Sequence, residues 1–154
     1  MQKPDLHESF NDQITEFEKY LGFIDKAQAA ADKFRAEVIE KVVSDNQARA
    51  MSLASELMMP LVEVEDHIDD LGTQRETIDT KNATASATLQ ELELRLMIGD
   101  LDDDTFAAEA GPIKTQVDEA QMSVLEIDEE RESFSAIMTR WKVAGLRSGA
   151  LKPE

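Results

Sequence analysis

Asp100, Asp102 and Asp104 have the opening spacing of a calcium loop, and His7 and His67 are the only two imidazoles in the chain. A calcium loop also needs a glycine in its sixth place for the sharp turn and a bidentate glutamate in its twelfth. Thr105 and Gly111 stand there instead. Helix capping accounts for the aspartates, because carboxylates accept hydrogen bonds from the free N–H groups of a helix start and suit the positive end of its dipole.

His67 lies among Glu63, Asp66 and Asp70. A di-metal helical bundle takes Glu-x-x-His from two helices, but Val64 precedes His67 by three residues and Pro4 precedes His7. His67 is therefore read as a solvent-edge residue. With no cysteine there is no thiolate zinc site and no Cys nucleophile. Two histidines without a glycine-rich elbow or phosphate loop do not assemble a catalytic triad. Carboxylate pairs occur all over an acidic surface, so none stands out as a general acid and base, which would need a dry pocket. The expectation is a protein that is not an enzyme and uses no metal or cofactor.

The elements that carry these residues follow from composition and period. The chain has 154 residues, 42% hydrophobic but only 5% aromatic, which fits one domain with a core of Ala, Leu, Ile, Val and Met. No run of eighteen apolar residues reads as a membrane span, and the start MQKPDLHESF lacks the pattern of a secretory signal. A cytoplasmic protein is the default expectation.

Three long stretches alternate apolar residues by fours and threes, the period of a helix seam. The first covers about 5–43 through Phe10, Ile14, Phe17, Leu21, Ile24, Gln28, Ala31, Arg35, Val38 and Val42, and Phe23, Ala27, Ala30 and Phe34 widen it. Ser44-Asp45-Asn46 reads as a turn and N-cap. The second covers about 47–98, with an unbroken seam from Ala50 to Leu96 and a kink or short break expected near Met59, where Pro60 removes a hydrogen bond. The tip, 99–104, begins at Gly99. A third helix covers about 103–143, from Phe106 to Trp141; Gly111-Pro112 marks a weak point that sets 103–110 apart. Residues 1–144 thus form one helical domain, and 145–154 read as a flexible basic tail.

The expected fold is all-α: an elongated antiparallel coiled-coil hairpin with a third long helix packed along it. Folding about the tip pairs Leu96 with Phe106, Leu92 with Ala110, Leu89 with Ile113, Ala85 with Val117, Asn82 with Ala120, Ile78 with Val124, Ile68 with Phe134 and Leu61 with Trp141. The first helix would fold back about residue 45, leaving the tip two-stranded and less stable than the rest. Arg75 would face Ile127 and Arg131 would face Leu71, their guanidinium groups reaching Asp79 or Glu130 and Asp70 or Asp128. Arg75, Arg131 and Asn82 are read as register-setting residues.

Charge narrows the partners. The formal net charge is −17; residues 99–139 hold 2 bases against 12 acids, whereas residues 140–154 hold 4 bases and one acid. Phosphate backbones and anionic bilayers need clustered Lys and Arg, so direct nucleic-acid or membrane binding by the body is disfavoured. A coiled-coil scaffold, adaptor or assembly subunit fits best, contacting a protein partner, basic in one reading, or a second copy of itself. The candidate contacts are Leu101 and Phe106 at the tip, and Trp141 with Arg140 and Lys142 before the tail, although cover of Leu61 by Trp141 is the favoured reading of that residue. A helical chaperone or stalk component of a secretion-type machine, an acidic mimic occupying a nucleic-acid-binding protein, and a disfavoured metal-dependent bundle enzyme are the alternatives.

Overall fold

The computed structural model describes residues 3–148, which form three helices: α1 (Pro4–Ala29), α2 (Ala36–Met97) and α3 (Asp103–Ser148). No strand occurs among the described residues, so the fold is all-α. The contacts of the described residues divide into two units, one built from 3–68 and 133–148 and the other from 69–132.

In the first unit, Pro4 at the start of α1 has the fixed φ that suits a first helical turn. Phe10, Ile14, Phe17 and Leu21 are all buried on one face of α1. They join Ala50, Leu53, Ala54, Leu57 and Val64 of α2 and Phe134, Ile137, Met138, Trp141 and Ala144 of α3 in one hydrophobic core. Phe10, Ile14, Phe17, Leu57 and Val64 are 0% exposed, and each such burial stabilises the fold by about 1.5–3 kcal/mol. Arg140 of α3 binds Glu18 and donates to Asn11 Oδ1 (2.6 Å) and Thr15 Oγ1 (2.9 Å) of α1; Arg147 binds Asp25 about two turns further along both helices. The constant offset between these partners means that α1 and α3 run parallel.

The first turn of the chain does not lie where the sequence suggests. Helix α1 ends at Ala29, where the N–H groups of Ala30 and Ala31 bond back to Ala27 and Gln28, and α2 already begins at Ala36. The expected break at 44–46 lies inside α2: Asn46 is 7% exposed and donates its side-chain N–H to the Val42 carbonyl at 2.9 Å. Gln28, Ala31 and Arg35 are exposed. They put no large apolar group into the seam, so nothing holds the helix against its neighbours there. Tyr20 and Glu16 consequently share a cleft with Ser52 and Glu56, a pairing set by a turn near residue 33 rather than 45.

Helix α2 runs through Pro60 without a break, and α3 runs unbroken through Pro112. Pro112 is exposed and Pro60 half-buried, so water can solvate a carbonyl that each proline leaves without its donor. Gly111 assists by giving Pro112 a predecessor without a Cβ to clash with its ring. At the other end, α3 continues to Ser148, with Ala144 and Gly145 buried. The expected tail is therefore helical over 145–148, while 149–154 lies outside the described residues.

The second unit is an antiparallel pair made by the later part of α2 and the earlier part of α3. Arg75 meets Asp128, the Arg131 guanidinium lies against Gly72, and Ala85 and Thr88 share a cleft with Ile113 and Gln116. These pairings are within a residue of the register expected for folding about Gly99. In the first unit, the edge contact between His67 and Phe134 has the same register. Leu71, Ala85, Leu92, Ala110 and Ile127 are buried along this pair, but Ile78, Leu89, Ile113, Val117 and Val124 are only half-buried. Two helices without a third cannot cover a seam on all sides. Ala83 and Ala87 are exposed, so of the three alanines here only Ala85 lies in the interface.

Candidate interaction site at the hairpin tip

The tip is ordered by its own caps. Gly99 takes φ +82°, the left-handed conformation that glycine adopts without a Cβ penalty. Its N–H bonds to the Leu96 carbonyl (3.2 Å) and that of Asp100 to the Arg95 carbonyl (2.8 Å), which closes the C-terminus of α2. Arg95 donates to Asp100 at 2.5 Å and pairs with Glu91 at 3.6 Å; the Asp100 bond chiefly raises the guanidinium pKa. Asp102 then caps α3, its Oδ1 accepting the Thr105 N–H at 2.7 Å. That backbone bond holds the Asp102 carboxyl below the usual range.

This fixed turn carries the most exposed apolar side chains of the region. Met97 is 78% exposed, Ile98 66% and Leu94 53%. Leu101 is half-exposed, and Phe106 is half-buried with the Lys114 ammonium 5.4 Å from its ring centroid. Leu94, Met97 and Ile98 cluster on one side of the last turn of α2, opposite the seam residues Leu92 and Leu96. Exposed apolar clusters of this kind mark contact surfaces. Sequence reasoning centred on Leu101 and Phe106 and missed Leu94 and Ile98. Their signal was a second stripe, Ala83, Ala87, Gln90, Leu94 and Ile98, at helical spacing outside the seam.

The other expected contact region is part of the core. Trp141 is 1% exposed, packed edge-on against Phe17 at 5.0 Å, with its Nε1–H unbonded among the described residues. Arg140 holds α1 through the bonds given above, and Lys142 alone of the three is exposed. Trp141 is thus a core residue, as its place opposite Leu61 favours, and α1 covers it through Phe17.

Arg75 and Arg131 behave differently from each other. Arg75 grips Asp128 across the helix pair with Nε and Nη2 (2.7 and 3.2 Å) and Asp79 within α2 (2.8 Å). The exposed Arg131 lays its guanidinium over Gly72. Asn82 is half-buried in the seam, and its Oδ1 has no partner among the described residues.

His67 is not at the solvent edge but 2% exposed. Phe134 lies edge-on to both histidines, 4.8 Å from His67 and 5.1 Å from His7, and His7 Nε2 shares a 2.8 Å hydrogen bond with Ser133 Oγ. Both imidazoles therefore serve as packing surfaces around one phenyl ring. A cleft of about 380 Å³ lies between Leu21, Ile24, Gln28, Gln47 and Met51, walled by the Arg147–Asp25 pair, and contains no histidine. Among the described residues no three or more His, Cys, Asp or Glu side chains converge as metal ligands, and no helix is long and apolar enough to cross a membrane. Compared with protein-family models, curated proteins and solved structures, the chain matches none.

Proposed function

We propose that the protein is a non-enzymatic coiled-coil scaffold or adaptor that engages a protein partner through the tip of its α2–α3 hairpin. The observation that carries this reading is the pairing of order with apolar exposure: a turn fixed by Gly99, the Arg95–Asp100 pair and the Asp102 cap presents Met97 and Ile98 outward. Preorganised contact residues lose little conformational entropy on binding, so they favour affinity.

Affinity purification with Met97→Ser/Ile98→Ser tests the reading. Partner recovery is expected to fall at least tenfold, while Met58→Ser/Met59→Ser, on exposed positions elsewhere on α2, leaves it unchanged. Equal recovery by both variants contradicts the proposal.

A further inference from the structure

The outward face of α2 continues from the tip toward the middle of the helix. Ala83, Ala87, Gln90, Leu94 and Ile98 follow one another by fours and threes and are all exposed. This is a second seam that no helix covers among the described residues. It spans about 23 Å at 1.5 Å per residue. Small residues at 83 and 87 permit close approach of another helix, and Leu94, Met97 and Ile98 supply large anchors at one end.

The charges around this face are predominantly acidic. From Lys81 to Lys114 the chain has seven acids, Glu91, Glu93, Asp100, Asp102, Asp103, Asp104 and Glu109, against three bases, Lys81, Arg95 and Lys114, the last seated over the Phe106 ring. Arg95 is already engaged by Asp100 and Glu91. A second copy of this chain would bring the same carboxylates against these. A helix with lysine or arginine beside its apolar stripe would neutralise them.

We infer that the face from Ala83 to Ile98 docks an amphipathic helix of a partner protein, with an apolar stripe on Leu94, Met97 and Ile98 and basic residues along both flanks. This rests on the tip being the contact region and names the chemistry of what it contacts. The apolar stripe would supply burial, and the basic flanks orientation and a fast, salt-sensitive encounter.

The test uses the full chain, isotope-labelled, titrated with a synthetic 21-residue helix bearing leucines at heptad spacing and lysines between them. A matched peptide carries glutamate in place of lysine. The lysine peptide is expected to shift the resonances of Ala83, Ala87, Leu94 and Ile98, and its affinity to fall at least tenfold in Leu94→Ser/Ile98→Ser, with helix content by circular dichroism unchanged. The same affinity should survive in Met122→Ser/Leu125→Ser, which alters an exposed acidic face of α3. Shifts confined to other faces, undiminished binding by the Leu94/Ile98 variant, or no binding at all overturns the inference. So does equal binding of the glutamate peptide, or a concentration-dependent dimer that the Leu94/Ile98 variant abolishes. If a natural partner is lost on tip substitution but carries an acidic or salt-insensitive contact surface, this inference fails while the tip reading stands.

Discussion

Arg75 and Asp128 are fifty-three residues apart in sequence, yet the guanidinium holds the carboxylate through two bonds, Nε to Oδ1 at 2.7 Å and Nη2 to Oδ2 at 3.2 Å. A bidentate pair has a fixed geometry, so it records the register of α2 against α3 as well as contributing attraction. A slip of one residue along either helix would separate the planes. The seam in this unit is only half covered, so apolar packing alone specifies register weakly.

Reversing one charge should therefore damage this unit selectively. Arg75→Glu places a carboxylate against Asp128 and Asp79 and is expected to speed amide exchange across 70–98 and 103–131, leaving the core around Phe17 and Trp141 protected. Adding Asp128→Arg restores part of the protection. Hydrogen exchange read by mass spectrometry checks both outcomes.

The same pair gives stability a pH dependence of known sign. The bond from Arg75 lowers the Asp128 pKa, and the Thr105 N–H lowers that of Asp102. A carboxyl depressed on folding contributes stability that is complete above its unfolded value, about 4, and is lost as pH falls through the folded value. Denaturation midpoints are expected to hold steady from pH 7 to about 5 and to decline below about 4. Asp128→Asn should flatten part of that decline.

Glycine substitutions separate helix propensity from turn geometry. A Cβ at Gly22 meets nothing within 4 Å, and one at Gly72 makes only ordinary contact with Arg131 at 3.5 Å. Alanine at either position should stabilise by about 0.5–1 kcal/mol. Gly99→Ala should instead destabilise by about 1–2 kcal/mol, since φ +82° is strained for any residue with a Cβ. Urea unfolding of the three variants checks the contrast.

Core and tip substitutions should trade stability against partner contact. Trp141→Ala empties a site that is 1% exposed and is expected to cost about 3–5 kcal/mol. Ile98→Ser, at 66% exposure, should fall within about 0.5 kcal/mol of the native protein. Thermal melts of the pair distinguish a packing residue from a contact residue.

The seam residues of α2 and α3 were legible because a heptad repeat with a glycine turn fixes which positions face each other. Leu71, Ala85, Leu92, Ala110 and Phe134 are buried on that account. The first turn was misplaced because Ser44-Asp45-Asn46 has turn chemistry, whereas 30–35 has neither glycine nor proline. The absence of apolar mass at Gln28, Ala31 and Arg35 was the better guide. His67 was misjudged, and the bonds of Arg140 to α1 were not foreseen, for a related reason: with α1 ending early, its buried face lies along α3, and three-body packing is not encoded in any single helix's period. At the tip, Leu101 and Phe106 were legible from the turn, but Leu94 and Ile98 show as a surface only once the seam is known to occupy the other side.

The central claim is that contact is made at the tip, and a photo-reactive amino acid placed singly at positions 59, 97, 98, 122 and 143, all exposed, tests it most directly. Cross-linking in intact cells is expected to give one discrete partner adduct from 97 and 98 and none from 59, 122 or 143. Adducts absent from 97 and 98, or formed equally from all five positions, would contradict the account.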